Sequence, residues 1–269
     1  MKAIKIEDFE APETRYPRVL AIIGSPRKKG NTYELTRKVE KRMQQLGDVE
    51  FEYIFLKDVN LKSCRGCGVC FEKGEELCPL KDDRAMLEEK MHNADGVIFT
   101  SPNYVFNVSG LMKNFIDRFA YVCHRPRFFK SAMVLTTSGV GGSRLMLMPF
   151  SIAPQTWGFK ITHSFGIVSN DIPEYGTPIE KTNKKINKAA KKFYDAMAAG
   201  RPKPSILTMA MFLSIKSGFK KLNPEYFDYK YWKNHGWLEN DAYYYHNPEV
   251  NFLRKGLAKI LSKFMGLVM

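Results

Sequence analysis

Between residues 18 and 200, short apolar runs alternate with longer amphipathic ones, and this alternation constrains the fold more than any other feature of the chain. RVLAIIG (18–24) is continuously apolar and stops at Gly-Ser-Pro, and the segment after it repeats Leu35, Val39 and Met43 at helical spacing. VEFEYIFL (49–56), DGVIFTSP (95–102), AMVLTTSG (132–139) and FKITHSFGIV (159–168) read as four further strands. The intervals are filled by DDRAMLEEKMHNA (82–94), with acidic residues expected in its first turn, by SGLMKNFIDRFAYV (109–122), opened by a capping serine, by LMLMPFSIAPQTWG (145–158), and after the last strand by a lysine-rich helix. Five strands joined by crossovers imply an α/β protein with a doubly wound five-stranded parallel sheet, because parallel neighbours cannot be joined by tight turns. Such sheets bind ligands beyond the carboxyl ends of their strands, where the strand order reverses.

The alternation ends near residue 200. RPKPS (201–205) punctuates the chain, ILTMAMFLSIKSGFKK reads as an apolar helix, nine aromatic residues fall between 226 and 245, and VNFLRKGLAKILSKFMGLVM closes as an amphipathic basic helix. Residues 1–200 are therefore expected to form one domain. Residues 201–269 form a helical, aromatic-rich C-terminal extension that packs on the same domain or on a neighbouring subunit. A docking helix is the expectation for the final segment, with contact to a membrane surface as the alternative.

No uncharged apolar stretch reaches the length of a membrane span, and acidic residues stand in MKAIKIEDFEAPETRYPR where a signal peptide needs an apolar core. The expected compartment is the cytoplasm, where disulfides rarely persist. Lys and Arg outnumber Asp and Glu 42 to 28, which raises nucleic acid as a partner. In KTNKKINKAAKKFYDAM (181–197), however, Ile186, Ala190, Phe193 and Met197 share one stripe, so the lysines read as a solvated helix face. The first domain has no basic and aromatic interleaving, and no nucleic-acid partner is expected. The positive excess suits an anionic small molecule or an acidic electron carrier.

Two loops carry the chemistry that residue types alone reveal. Gly24-Ser25-Pro26-Arg27-Lys28-Lys29-Gly30-Asn31-Thr32 joins the first strand to the first helix. A phosphate there would meet helix N-terminal amides, the Ser25 and Thr32 hydroxyls, the Asn31 amide and the Arg27 guanidinium. The loop is neither of the familiar Gly-rich nucleotide fingerprints. Cys64, Cys67, Cys70 and Cys78 lie within fifteen residues at the spacing C-x2-C-x2-C-x7-C. Such a run suits thiolate ligation of an iron–sulfur cluster first, and could instead leave free, labile thiols, hold zinc or form disulfides. Cys123 reads as a small core hydrophobe, and the five histidines show no ligand spacing. Lys113, Asp117 and Arg118 read as a structural set on one helix rather than as catalytic groups.

Four blocks, GSPRKKGNT (24–32), CRGCGVCFEKGEELCPLKDD (64–83), SPNYVFNVSGLMKNFIDR (101–118) and TTSGVGG (136–142), resemble the flavodoxin-like NAD(P)H-dependent FMN reductases and, within them, the iron–sulfur flavoproteins. They follow in order after successive strands and together span most of residues 18–170. The resemblance implies a flavodoxin-like sheet that binds FMN. The phosphate would rest on Ser25, Arg27, Gly30, Asn31 and Thr32. The ring would lie against Ser101, Pro102, Asn103, Tyr104, Asn107 and Val108 on one side and Thr137, Ser138, Gly139, Gly141 and Gly142 on the other. It implies NAD(P)H as co-substrate, a [4Fe–4S] cluster on Cys64, Cys67, Cys70 and Cys78, a small-molecule or ferredoxin-like protein acceptor, and a homo-oligomer. No catalytic acid or base is assigned, since flavin hydride transfer needs none. The alternative is an electron-transfer or redox-sensing iron–sulfur flavoprotein reduced by a ferredoxin-like partner.

Overall fold

The structure, a computed structural model, describes residues 16–169, 176–246 and 250–266; the N-terminal segment expected not to be a signal lies largely outside them. β1 (Arg18–Ile23) lies inside the sheet because, past Arg18, its sequence gives it no polar face. Leu20 and Ile22 point to one side of the sheet and Val19, Ala21 and Ile23 to the other, all buried. β3 (Gly96–Pro102) and β4 (Ser131–Ser138) are buried along their whole length in the same way. β2 (Glu50–Phe55) and β5 (Lys160–Val168) are half-exposed and lie at the edges. All neighbours pair in parallel in the order β2-β1-β3-β4-β5. This is the flavodoxin-like order, with its reversal between β1 and β3.

One face is covered by α1 (Asn31–Gln44) and α6 (Ile179–Ala198), whose Leu35, Val39, Met43, Ile186, Ala190 and Phe193 form the expected buried stripes. The other face is covered by α3 (Arg84–Asn93), α4 (Gly110–Arg118) and α5 (Ser143–Thr156). α2 (Val69–Glu72) is a single turn inside the cysteine segment. α4 comes close to the first loop because Gly24 has no side chain: a Cβ there would stand 2.8 Å from the Met112 Cβ.

Two local expectations are corrected. α3 begins at Arg84, so Asp82 and Asp83 precede it. Their carboxylates serve other partners, Asp82 the Arg118 guanidinium and the Lys62 amide, and Asp83 the Asn60 amide. The helix expected over 109–122 ends at Arg118 and gives way to a 3-10 turn over Ala120–Cys123, with the Cys123 sulfur 3.0 Å from the Thr156 hydroxyl.

The extension builds α7 (Ile206–Phe219), α8 (Phe227–Asn234) and α9 (Phe252–Gly266). Its aromatics pack within this chain: Phe212, Phe219, Trp232, Trp237 and Tyr245 form a third apolar cluster with Phe129, just before β4. α7 is opened by a capping box in which Ser205 and Thr208 each bond the other's backbone amide.

Candidate functional site

Three loops leave the carboxyl edge of the sheet beside the reversal point, and short polar contacts tie them together. In the first loop the Ser25 side chain is buried and its hydroxyl accepts from the Arg27 amide at 3.1 Å. Arg27 is exposed, Gly30 caps α1 and Asn31 is its first residue. Thr32 is buried, with its hydroxyl 2.8 Å from that of Thr137 at the end of β4. Ser109, the cap of α4, donates to the Gly24 carbonyl, and its own amide donates to Ser101 Oγ at 3.0 Å. Asn103 closes the arrangement: its amide donates to the Thr137 carbonyl at 2.7 Å and its Nδ2 to the Gly141 carbonyl at 2.9 Å.

Between these loops lies an open cleft of about 410 Å³, walled by Asn103, Val105 and Phe106 on one side and by residues 138–142 on the other. Its size falls in the range of small-molecule sites. Three features make it a cradle. The Asn103 Oδ1 is buried without a hydrogen-bond partner. A Cβ added at Gly139 would meet nothing within 4 Å. Val105 and Phe106 hold φ angles of 51° and 61° across the Tyr104–Asn107 bridge. Such values are strained for a β-branched or aromatic residue, and both side chains project into solvent at the rim.

Not every residue expected at the ring faces the cleft. Ser101 is fully buried and spends its hydroxyl on the Pro102 carbonyl and the Ser109 amide, while Val108 joins the core. Pro102 ends β3, Tyr104 is exposed, Asn107 bonds the Val108 amide, and Ser138 pairs with Ser143.

The cysteine segment leaves the same edge after β2. Cys64 and Cys67 are exposed, Cys70 and Cys78 are half-buried, and all five cysteines are free thiols. Gly66 and Gly68 take φ angles of 63° and 74°, turning the backbone between successive cysteines. The Gly66 amide points to Cys64 Sγ at 3.5 Å. Burial raises the Cys70 thiol above its ordinary value, partly offset by Arg125 and reinforced by the nearby Cys64 and Cys78. Burial acts the same way on Cys78, but there the Arg118 guanidinium, 3.3 Å from its sulfur, prevails and the thiol titrates below its ordinary value. Four sulfurs on one turning segment, with an amide and a guanidinium aimed at them, fit a thiolate-held group in kind and number. As they stand, no three His, Cys, Asp or Glu side chains among the described residues gather closely enough to hold a metal ion.

α4 links the two regions. Its first turn is fixed to the cleft through Ser109. Its Asn114 holds the Leu61 carbonyl at 2.9 Å and the Cys64 amide at 3.3 Å, and Arg118, nearly fully buried, grips Asp82 at 2.8 and 3.0 Å as well as Cys78. Lys113 and Asp117 pair with each other on the outer face. Arg118 is thus not part of that pair. Its role could have been read from its position, since it falls on the buried stripe of Met112 and Phe115, where an unpaired arginine is untenable. Asn114 carried no such signal.

A family profile described as NADPH-dependent FMN reductase matches residues 17–164. The chain belongs to this family. Membership makes it an FMN-dependent oxidoreductase of the flavodoxin-like fold. Within the family it is similar to an iron–sulfur flavoprotein of Archaeoglobus fulgidus, 26% identical over 226 residues that cover 82% of this chain and all of the relative. It is also similar to an iron–sulfur flavoprotein of Methanocaldococcus jannaschii, 42% identical over 156 residues, 58% of this chain and 78% of the relative. Among solved structures, RosB with a bound intermediate superposes with a TM-score of 0.55 at 15% identity, covering 68% of this chain and 79% of that one. A flavone reductase superposes at 0.51 and 16%, covering 68% and 62%. Both likenesses establish the fold.

Proposed function

We propose that this family member takes a hydride from NADH or NADPH onto FMN bound in the cleft and passes electrons to an acceptor through a [4Fe–4S] cluster held by Cys64, Cys67, Cys70 and Cys78. The observation that carries the flavin site is the open cleft at the carboxyl edge of the sheet, walled by Asn103, Val105 and Phe106 on one side and by residues 138–142, three of them glycine, on the other. Bound FMN supplies two-electron exchange with nicotinamide and can divide it into single electrons. The protein's residues bind and orient. Ser25, Thr32, Asn31 and Arg27, with the N-terminus of α1, offer a phosphate hydroxyls, amides and one flexible cation. Asn103 is held by Thr137 and Gly141, which fixes its side chain in the cleft wall.

The cluster assignment rests on the four sulfurs, on the Arg118 and Gly66 donors aimed at two of them, and on the similarity to relatives known as iron–sulfur flavoproteins. α4 then braces both redox sites on one rigid element. A ferredoxin-like partner or a small molecule is the acceptor in this reading. Self-association is supported by the exposed Leu145, Met148 and Ile152 on α5, beside Val140 at the cleft.

The test is anaerobic purification followed by spectroscopy, iron and sulfide analysis, and reduction by NADH or NADPH. Flavin bands with about four iron and four sulfide per chain, bleached by nicotinamide at catalytic rates, are expected. Flavin without iron would defeat the cluster. No affinity for FMN would defeat the site.

A further inference from the structure

We propose that α9 is a peripheral membrane anchor whose outer face lies on an anionic bilayer. The helix sits on the protein by one side only. Ala258 is fully buried and the Arg254 guanidinium donates to the Pro204 carbonyl at 2.9 Å, which fixes the inward face. On the other side Leu253, Leu257, Ile260 and Phe264, spaced four, three and four residues apart, are 61%, 53%, 57% and 65% exposed, and Phe252 just before them is 79% exposed. A helix that merely docks on its own domain turns its apolar stripe inward. Here the apolar stripe faces out.

The charges select the occupant. Residues 252–266 contain Arg254, Lys255, Lys259 and Lys263 and no acidic residue. Lys255 and Lys259 stand over the Tyr243 ring, 4.9 and 5.3 Å from its centre, so the cations lie to the side of the stripe rather than across it. A second copy laid face to face would set lysines against lysines and offer no carboxylate to either. A bilayer with anionic headgroups meets both features, taking the apolar row into the boundary between headgroups and acyl chains while the lysines meet phosphates. Each cation near such a surface adds about fivefold to the partition.

The placement leaves the cleft accessible. The extension packs on Phe129, two residues before β4 begins, so it covers the amino edge of the sheet and the cleft opens from the carboxyl edge. No helix among the described residues is long and apolar enough to cross a membrane, so the attachment is lateral.

The experiment uses the full-length, flavin-loaded protein in co-sedimentation with vesicles of phosphatidylglycerol and phosphatidylcholine, or of phosphatidylcholine alone. Binding to the mixed vesicles is expected, at least about tenfold weaker to the neutral ones and weakened by salt. Ile260→Asp and Phe264→Asp, both at exposed positions, are expected to reduce binding about tenfold or more with flavin content and molecular mass unchanged. Lys259→Gln with Lys263→Gln keeps the apolar row and is expected to weaken binding to the anionic vesicles only. Absence of binding to anionic vesicles at low salt, equal binding by Ile260→Asp, or a fall in molecular mass caused by Ile260→Asp would each overturn the proposal, the last by assigning the face to self-association.

Discussion

Gly139 and Gly142 stand three residues apart in one loop and answer to different constraints. At Gly142 the backbone takes φ 79° and a Cβ would stand 2.5 Å from the Phe106 ring. Gly142→Ala is therefore expected to cost about 1–3 kcal/mol of stability, as a strained backbone site does, and chemical denaturation will read it. At Gly139 nothing in the protein opposes a side chain. If the cleft is the flavin site, Gly139→Ala keeps the melting temperature within about 2 °C, a surface-scale change, while the apoprotein loses about tenfold or more in FMN affinity by fluorescence titration. An alanine variant that binds FMN like the parent would mean the ring lies elsewhere. The loop's glycines were legible in the sequence because few residue types offer bare backbone. The tie from Asn103 to Gly141 was not, since it joins residues far apart in the chain whose meeting depends on β3 and β4 being neighbours.

At the scale of elements, α8 is the brace of the cysteine segment. The Arg125 side chain is completely buried and joins three parts of the chain: it pairs with Asp228 on α8 and with Glu75 at 2.7 Å, and donates to the Cys70 carbonyl at 3.0 Å. Asp228 also accepts from His124, and Phe227 lies against Gly74 and over the Arg125 guanidinium. Removing one partner of such a buried pair leaves a charge without its counterpart. Because Glu75 remains, Asp228→Ala is expected to lower stability by about 2–3 kcal/mol and to speed alkylation of Cys70 in metal-free protein through local opening, with Cys123 as the internal control. Asp228→Asn, which keeps an acceptor, should show a smaller change in both. Unchanged Cys70 reactivity in Asp228→Ala would show that α8 does not brace the segment. Strands and most helices were legible because their apolar periods are strong. α5 forms although Pro149 and Pro154 stand inside it, a case of tertiary packing by Met146 and Phe150 prevailing over local propensity. The brace itself was illegible, because the sequence of the extension shows aromatic content and gives no direction to Asp228.

For the whole molecule, the alternation of apolar runs determined the sheet class and the edge at which the candidate site is sought, because a doubly wound parallel sheet leaves few choices of strand order and one edge for ligands. The global response to acid follows from packing that no motif announces. All five histidines titrate below their ordinary value, and burial is the first cause in every one. His92, packed against Phe128, and His246, against Phe129 and Tyr244, are pushed down to about 4. A histidine with a depressed folded value binds its proton more readily in the unfolded chain. Stability is therefore complete above the unfolded value near 6.5 and falls as pH drops from there toward 4. A shift of that size corresponds to roughly 3 kcal/mol for one group, and partial solvent access brings it to about 1–2 kcal/mol. Denaturation midpoints measured at steps between pH 7.5 and 4.5 are expected to decline mainly below 6.5. His92→Phe, which keeps a ring against Phe128, should remove about 1 kcal/mol of that decline. Parallel declines in the variant and the parent would assign the acid sensitivity to the carboxylates instead, with Glu75 the first to inspect, since Arg127 and Arg125 overcome its burial and hold it below the usual range.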